Sequence, residues 1–167
     1  LAAGEVDVTT ADAASLLKRV SDPELPVLAI ALFGQRGQQA FVGLEASGMR
    51  TPRDWMGKTF GYKGGSLPPG YLAVLAASGV DADSVDSVRV GFNPRVLTDG
   101  EIDVLAVFKS NEPDTIRNTL GHEVVMWDPE DFGVPAIGLT YVTRTDLADE
   151  KPDLLERFLK ATLNGLR

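Results

Sequence analysis

The segment Tyr62-Lys63-Gly64-Gly65-Ser66 runs from a predicted strand into a predicted helix and is well suited to binding a polar group. Backbone N–H groups at such a turn favour an anionic or polar ligand group. No Gly-Lys-Ser/Thr triplet ends the segment, which excludes a Walker phosphate-binding loop. The alternative is a plain strand-to-helix turn without a ligand.

Glu112 is the acidic candidate, at the end of another predicted strand. The proline that follows, Pro113, biases Glu112 towards an extended backbone, which could aim its carboxylate beyond the strand end. The alternative is that Glu112 stabilises the N-terminus of a predicted helix at 114–120 through the helix dipole.

Aromatic side chains near predicted strand ends could stack on a flat ligand, and they are Tyr62, Phe92 and Trp127. Ordinary packing explains Trp127 equally well. Trp55 lies in a short amphipathic segment and is better explained as a core residue.

Further polar candidates follow predicted strands, and they are Thr10, Asp12, Asn93 and Asn111. In parallel α/β sheets, ligands bind beyond the carboxyl ends of the strands, so these positions belong to the candidate site. Asp12 could equally cap the helix predicted after it.

No catalytic or metal-binding constellation is apparent. The chain has no cysteine and a single histidine, His122, which shares no metal-ligand spacing with acidic residues. Ser66 has no base that the sequence places beside it, so no Ser-His-Asp set can be assigned. We therefore expect a protein that is not an enzyme and that needs neither metal nor cofactor.

The composition is that of a globular protein of 167 residues, with 44% hydrophobic and 24% charged residues. A net charge of −8 without a Lys/Arg block argues against nucleic acid or an anionic membrane as a partner. No apolar run reaches transmembrane length and no signal peptide is visible. Because Leu1 lies in what reads as the end of a helix, we expect the natural N-terminus, with any export signal, to precede it.

Strands and helices alternate along the chain, which predicts an α/β fold with mostly parallel sheets. Pro26–Phe33 is uniformly apolar and is predicted to be covered on both faces. The predicted helices are Ala13–Val20, a short one from Thr51-Pro52, 71–77, a short one before Gly100, 114–120 and one from Pro152. The predicted strands are Val6–Thr9, Pro26–Phe33, Ala40–Leu44, Thr59–Tyr62, Ser87–Gly91, Val104–Phe108, His122–Met126 and Ala136–Thr143.

Two similar segments, 1–8 and 97–104, suggest that the chain contains two lobes built on one plan. Leu1-Ala-Ala-Gly-Glu-Val-Asp-Val8 is echoed by Leu97-Thr-Asp-Gly-Glu-Ile-Asp-Val104. In each, a glycine can adopt the left-handed conformation that ends a helix, and a strand follows. Coincidence between two ordinary turns is the alternative.

The sequence resembles the substrate-binding proteins of ABC importers, in the branch that binds thiamine-pyrimidine precursors. Riboflavin binders and, more distantly, alkylsulfonate and taurine binders also belong to it. The resemblance covers nearly the whole chain and extends to the helix that begins at Pro152. Its motifs are the segment 1–8, Gly48-Met-Arg-Thr-Pro-Arg-Asp54, Gly57-Lys-Thr-Phe-Gly61, Asn111-Glu-Pro113 and Asp131-Phe-Gly-Val-Pro135.

The resemblance implies a two-lobed, type-II periplasmic-binding-protein fold. Lobe one would comprise 1–46 plus 137–167, and lobe two 47–136. Strands at about Gln39–Glu45 and Ile137–Thr143 would cross between the lobes as a hinge. The family's N-terminal strand, helix and second strand are absent from this chain, so lobe one would be incomplete.

The resemblance also implies a function. The chain would bind a small heterocycle in a cleft between the lobes and deliver it to an ABC permease, outside the cytoplasm. In pyrimidine-binding relatives an acidic residue contacts the ligand, and Glu112 matches it best, which favours a basic heterocycle. The shortage of arginine near the site disfavours a sulfonate. Binding of riboflavin or an alkylsulfonate, or a role as a sensory domain, are the alternatives. Resemblance to the eukaryotic pyrimidine-forming enzyme would imply a cysteine-rich motif, and the chain has no cysteine.

Overall fold

The computed structural model of the chain describes residues 1, 3–13, 16–17, 25–34 and 36–165. Its strands are β1 (Val8–Asp12), β2 (Val27–Leu32), β3 (Gln39–Leu44), β4 (Thr59–Tyr62), β5 (Asp86–Arg89), β6 (Val104–Phe108), β7 (Val124–Trp127) and β8 (Leu139–Arg144). Its α-helices are α1 (Pro69–Ala77), α2 (Arg95–Thr98), α3 (Glu112–Asn118), α4 (Thr145–Glu150) and α5 (Pro152–Gly165). Short 3-10 helices span Glu45–Ser47, Pro52–Trp55, Ala82–Ser84 and Pro129–Phe132.

The chain divides into two compact units. Unit 1 comprises Leu1–Gly37 and Ile137–Arg167, and unit 2 comprises Gln38–Ala136. The boundary near residue 37 differs from the predicted one at 46, because β3 pairs within the sheet of unit 2. The assignment of lobes, and of Gln39–Glu45 and Ile137–Thr143 as a hinge, stays a prediction.

Unit 2 is built on a five-stranded sheet in the order β5-β4-β6-β3-β7. β4 runs parallel to β5 and β6, whereas β3 runs antiparallel to β6 and β7. Alternate residues of β3 belong to two hydrophobic clusters: Phe41 to one, Ala40 and Val42 to the other. Because side chains alternate between the faces of a strand, both faces of this sheet carry a core.

Aromatic rings dominate one of these cores. Trp55 is fully buried, and Phe41 and Trp127 pack edge-on against it with ring centroids 5.7 and 5.2 Å away. Phe60 stacks on Tyr71 at 3.9 Å. The prediction that Trp55 is a core residue is therefore confirmed.

The helix start predicted at Thr51-Pro52 is present and produces the 3-10 helix Pro52–Trp55. The backbone N–H groups of Arg50 and Thr51 each donate to Asp54 Oδ2 at 2.8 Å. These bonds, first that from Arg50 and then that from Thr51, lower the pKa of Asp54 below its ordinary value, because they stabilise the ionised carboxylate. The turn thus fixes Trp55 at the centre of the aromatic core.

Unit 1 contains a three-stranded antiparallel sheet in the order β1-β8-β2. Helices α4 and α5 follow β8, and the ring of Phe158 in α5 packs edge-on against Tyr141 in β8 at 5.3 Å. Leu155 is the buried residue of α5. The last helix thereby covers part of the sheet with its apolar face.

The α/β class is confirmed, but the prediction of mostly parallel sheets is wrong. Of the six described strand pairs, β4–β5 and β4–β6 are parallel and the rest are antiparallel. The prediction rested on the alternation of strands and helices along the chain. In the structure β8, the last strand along the chain, lies antiparallel between β1 and β2.

Two local predictions in unit 1 also need correction. Thr10 and Asp12, predicted to follow the strand Val6–Thr9, instead lie within β1, where they pair with β8. In β2, Ala29 and Leu32 are exposed, so this strand is not covered on both faces within the described residues. The helix predicted at Ala13–Val20 falls largely outside the described residues.

Among their described residues, the two echoed segments share a left-handed glycine and a strand start. Gly4 and Gly100 have φ angles of +73° and +76°, and β1 and β6 begin at Val8 and Val104. A left-handed glycine thus precedes a strand at the same spacing in each unit. Helix α2 ends directly before the second copy's turn.

Candidate functional site

A groove of about 240 Å³ lies at one edge of the sheet in unit 2. β4 and β6 are parallel, so their carboxyl ends meet there, and Gln39 at the start of antiparallel β3 faces Phe108 at the end of β6. The volume is slightly below the usual range for small-molecule pockets, which begins at about 300 Å³. The lining residues are Gln39, Lys63, Gly64, Pro68, Phe92, Ala106, Val107 and Phe108.

A buried ion pair joins Lys63, directly after β4, to Glu112, the first residue of α3. Lys63 Nζ donates to Glu112 Oε1, and the side chains are only 10% and 5% exposed. The backbone N–H of Phe108 donates to Glu112 Oε2 at 2.8 Å. Both carboxylate oxygens therefore already accept hydrogen bonds from the protein.

Phe92 provides an exposed aromatic surface beside Lys63. Its side chain is 77% exposed, and Lys63 Nζ lies 5.9 Å from the ring centroid. An ammonium group at this distance is attracted to the face of the ring. The groove thus combines a cationic donor with an aromatic face that is open to a ligand.

The structure brings some predicted site residues to the groove and leaves others outside its lining. Lys63, Gly64 and Phe92 line it, and Glu112 contacts Lys63 but does not line it. Gly65 and Ser66 continue the same loop as exposed residues outside the lining.

Tyr62, Asn93 and Asn111 have other contacts in unit 2. Tyr62 is half-buried and stacks on Phe60 at 6.5 Å. Asn93 Oδ1 accepts a hydrogen bond from the backbone N–H of Arg95 at 3.1 Å, at the start of α2. Asn111 is exposed, and its backbone carbonyl oxygen accepts a hydrogen bond from the hydroxyl of Thr115 at 3.3 Å.

Trp127 lies in the core and not in the groove. It is 3% exposed, it packs against Trp55, and its indole N–H donates to the carbonyl oxygen of Arg50 at 2.9 Å. Ordinary packing therefore accounts for this tryptophan. Thr10 and Asp12 lie in β1 of unit 1; Thr10 is exposed and Asp12 is half-buried.

Gln39, Pro68 and Phe108 line the groove but were not candidates from sequence. Gln39 reaches it because β3 pairs antiparallel with β6, a pairing between distant parts of the chain. Phe108 had a local signal, because it is an aromatic residue at the end of an apolar strand and is 44% exposed. Pro68 precedes α1 and carried no signal beyond a turn.

Among the described residues, no group of three or more His, Asp or Glu side chains could hold a metal ion. No described helix is long and apolar enough to cross a membrane. His122 is exposed.

The fold is the α/β fold of periplasmic substrate-binding proteins. The alkanesulfonate-binding protein SsuA from Xanthomonas axonopodis pv. citri, solved bound to MOPS, superposes with a TM-score of 0.73 at 19% identity. The match covers 96% of this chain and 55% of that one. The predicted fold class is confirmed by this likeness.

The chain belongs to the NMT1/THI5-like family, whose model matches residues 1–167. It is 26% identical to a formylaminopyrimidine-binding protein of Halalkalibacterium halodurans over 85% of the chain, and 28% identical to the riboflavin-binding protein RibY of Chloroflexus aurantiacus over 98%. The matches cover 44% and 46% of those relatives, so the chain spans about half their length. The resemblance inferred from sequence is confirmed.

Proposed function

We propose that the chain is the ligand-binding part of an ABC importer's solute-binding component and that it binds a small heterocycle. The observation that carries the proposal is the groove itself, in which exposed Phe92 lies beside buried Lys63 at the carboxyl ends of β4 and β6. A ring can stack on the phenylalanine while a polar atom meets the lysine. The two curated relatives, named for binding a formylaminopyrimidine and riboflavin, support a heterocycle.

The proposal includes a membrane partner and a location for the protein, both of which the family implies. The bound solute is passed to an ABC permease in the membrane, and the protein works outside the cytoplasm without catalysing a reaction. Membership of the family and the fold of periplasmic binding proteins support this role. The net charge of −8 supports a small-molecule partner over nucleic acid.

Isothermal titration of the full chain with formylaminopyrimidine, riboflavin and an alkanesulfonate tests the proposal. We expect saturable binding of at least one heterocycle. The variant Phe92→Ala should weaken that binding by about tenfold, because a stacking contact is lost from an exposed position that does not hold the core together.

The matched control is Met56→Ala, which removes another exposed apolar side chain of unit 2 outside the groove. Its affinity should equal that of the unmodified chain. Binding of none of the three ligands would contradict the proposed function. If only the alkanesulfonate binds, the ligand class of the proposal changes from heterocycles to sulfonates.

A further inference from the structure

Among the described residues that line the groove, Lys63 is the one with a charged side chain. Its ammonium group has three N–H donors. Among the described residues, Lys63 Nζ donates one hydrogen bond, to Glu112 Oε1. Two of its three N–H groups therefore remain for other partners. The side chain is only 10% exposed, which limits how much water can satisfy them.

Glu112, unlike Lys63, already uses both of its carboxylate oxygen atoms in hydrogen bonds and lies outside the lining of the groove. Its side chain is 5% exposed, so a basic ligand in the groove has little access to this carboxylate. A ligand that displaced Lys63 to reach it would leave the ammonium group without its buried partner, which is costly in a site of low exposure.

We propose that Lys63 is the residue that recognises the ligand and that Glu112 is a positioning residue that holds Lys63 in place. This inference rests on the proposed function and narrows the ligand class. The ligand is a flat heterocycle that is neutral or anionic and presents a carbonyl, carboxylate or sulfonyl oxygen to Lys63 Nζ. Its ring stacks on Phe92. A cationic heterocycle is disfavoured because its charge would lie beside the ammonium group.

This assignment reverses two expectations drawn from the sequence. There, Glu112 favoured a basic ligand and the shortage of arginine disfavoured oxyanions. The structure supplies a lysine in place of the arginine and pairs the carboxylate internally. A charge-assisted hydrogen bond from Lys63 to a ligand oxygen is stronger than a neutral one and satisfies a donor that is otherwise open.

The test uses probes that share one ring and differ in charge: pyridine-3-carboxylate, nicotinamide and 3-(aminomethyl)pyridine, together with formylaminopyrimidine and riboflavin. Affinities of the full chain are measured by NMR titration, which also detects weak binding. We expect the carboxylate and the amide to bind at least about tenfold more tightly than the protonated amine.

Substitutions separate the two roles. Lys63→Met should weaken binding of the oxygen-bearing probes by about tenfold or more and abolish the discrimination against the amine. Glu112→Gln should leave these probes bound and shift the preference further towards the anion, because the charge of Lys63 is no longer neutralised. Lys109→Met is the matched control, since Lys109 pairs with Asp128 in the same unit and does not line the groove.

Lys63→Met leaves a buried carboxylate unpaired and could unfold the chain. The double variant Lys63→Met/Glu112→Gln removes both charges, and the amide oxygen that it introduces can still accept from the N–H of Phe108. Its folding is checked by circular dichroism, and it should bind the oxygen-bearing probes as weakly as expected for Lys63→Met.

The outcomes distinguish this inference from the proposed function. If the protonated amine binds best, or if the double variant keeps full affinity for the oxygen-bearing probes, the groove binds ligands but Lys63 does not select them. If Glu112→Gln abolishes binding of the amine and leaves the anion preference unchanged, Glu112 contacts the ligand directly. If no probe binds the unmodified chain, the proposed function fails and the assignment of Lys63 fails with it.

Discussion

The pair of Lys63 and Glu112 decides both the chemistry of the groove and part of its stability. Two charges that are 10% and 5% exposed compensate each other only while both are present. Removing one leaves the other desolvated without its oppositely charged partner. In the proposed site, the same pair would therefore link ligand recognition to folding at a single point of unit 2.

Lys63→Met should lower the free energy of unfolding by about 3–5 kcal/mol, because it leaves the carboxylate of Glu112 buried and unpaired. The loss in the free energy of unfolding should be smaller for Lys63→Met/Glu112→Gln than for the single variant, by at least about 1 kcal/mol. Urea unfolding followed by circular dichroism measures both. Lys160→Met is the control, because its ion pair with Glu156 is exposed and worth at most about 1 kcal/mol. Equal losses for the single and double variants would show that the unpaired carboxylate of Glu112 is not the cause of the loss.

At the scale of elements, short hydrogen-bonded turns fix the aromatic core. Asp54 accepts two backbone N–H bonds at the start of the helix Pro52–Trp55, and its pKa is lowered by them. A lowered pKa means that the folded state favours the ionised carboxylate. The stability that Asp54 contributes is therefore present above its ordinary value of 3.8 and is lost as the pH falls through the lower, folded value.

Asp54→Asn should consequently melt at a lower temperature than the unmodified chain near neutral pH, and the difference should shrink as the pH falls below 3.8. Thermal unfolding across a series of acidic buffers measures this difference. Asp114→Asn, which alters an exposed acid in a helix, is the control. A difference that stays constant or grows towards acidic pH would contradict the role of the two backbone bonds.

A glycine permits a close backbone approach in unit 1. The N–H of Gly138 donates to the carbonyl oxygen of Gly34 at 3.0 Å, and a Cβ atom at Gly138 would overlap that oxygen and lie 2.6 Å from the carbonyl oxygen of Arg36. Backbone atoms cannot rotate away as a side chain can. This contact therefore requires glycine at position 138.

Gly138→Ala should lower the free energy of unfolding by about 1–3 kcal/mol or more, since the backbone itself must shift. Gly165→Ala, where a Cβ meets nothing within 4 Å, should change it by less than about 0.5 kcal/mol. Urea unfolding of the two variants gives the comparison. Equal stability of both variants would mean that the segment around residue 34 moves without cost.

Local sequence signals predicted the elements better than their arrangement. β4 and β6 were predicted with the bounds that the structure has, and each lies between two charged residues, Lys58 and Lys63 for β4 and Asp103 and Lys109 for β6. β1 was placed too early, since Val6 extends the apolar pattern but is exposed before the strand. Short helix α4 was not predicted, because Thr145–Glu150 carries a single buried residue, Leu147.

At the scale of the whole molecule, the rule that ligands bind beyond the carboxyl ends of strands predicted the position of the candidate site. Pairing between strands that are distant along the chain decides which residues line the groove. The loop after β4 and the residue Phe92 could be selected from sequence because they follow strands. Gln39 could not, since it reaches the groove only through its antiparallel pairing with Phe108. Nor could the internal pairing of Glu112, which depends on Lys63, 49 residues earlier.

Binding of a small heterocycle at the groove of unit 2 can be tested by an NMR titration of the ¹⁵N-labelled chain with formylaminopyrimidine and with riboflavin. We expect saturable shifts for at least one ligand, largest at the backbone amides of Gly64, Phe92 and Phe108 and reduced in Phe92→Ala. Saturable shifts confined to other surfaces, or no shifts with either ligand, would show that the groove does not bind these heterocycles.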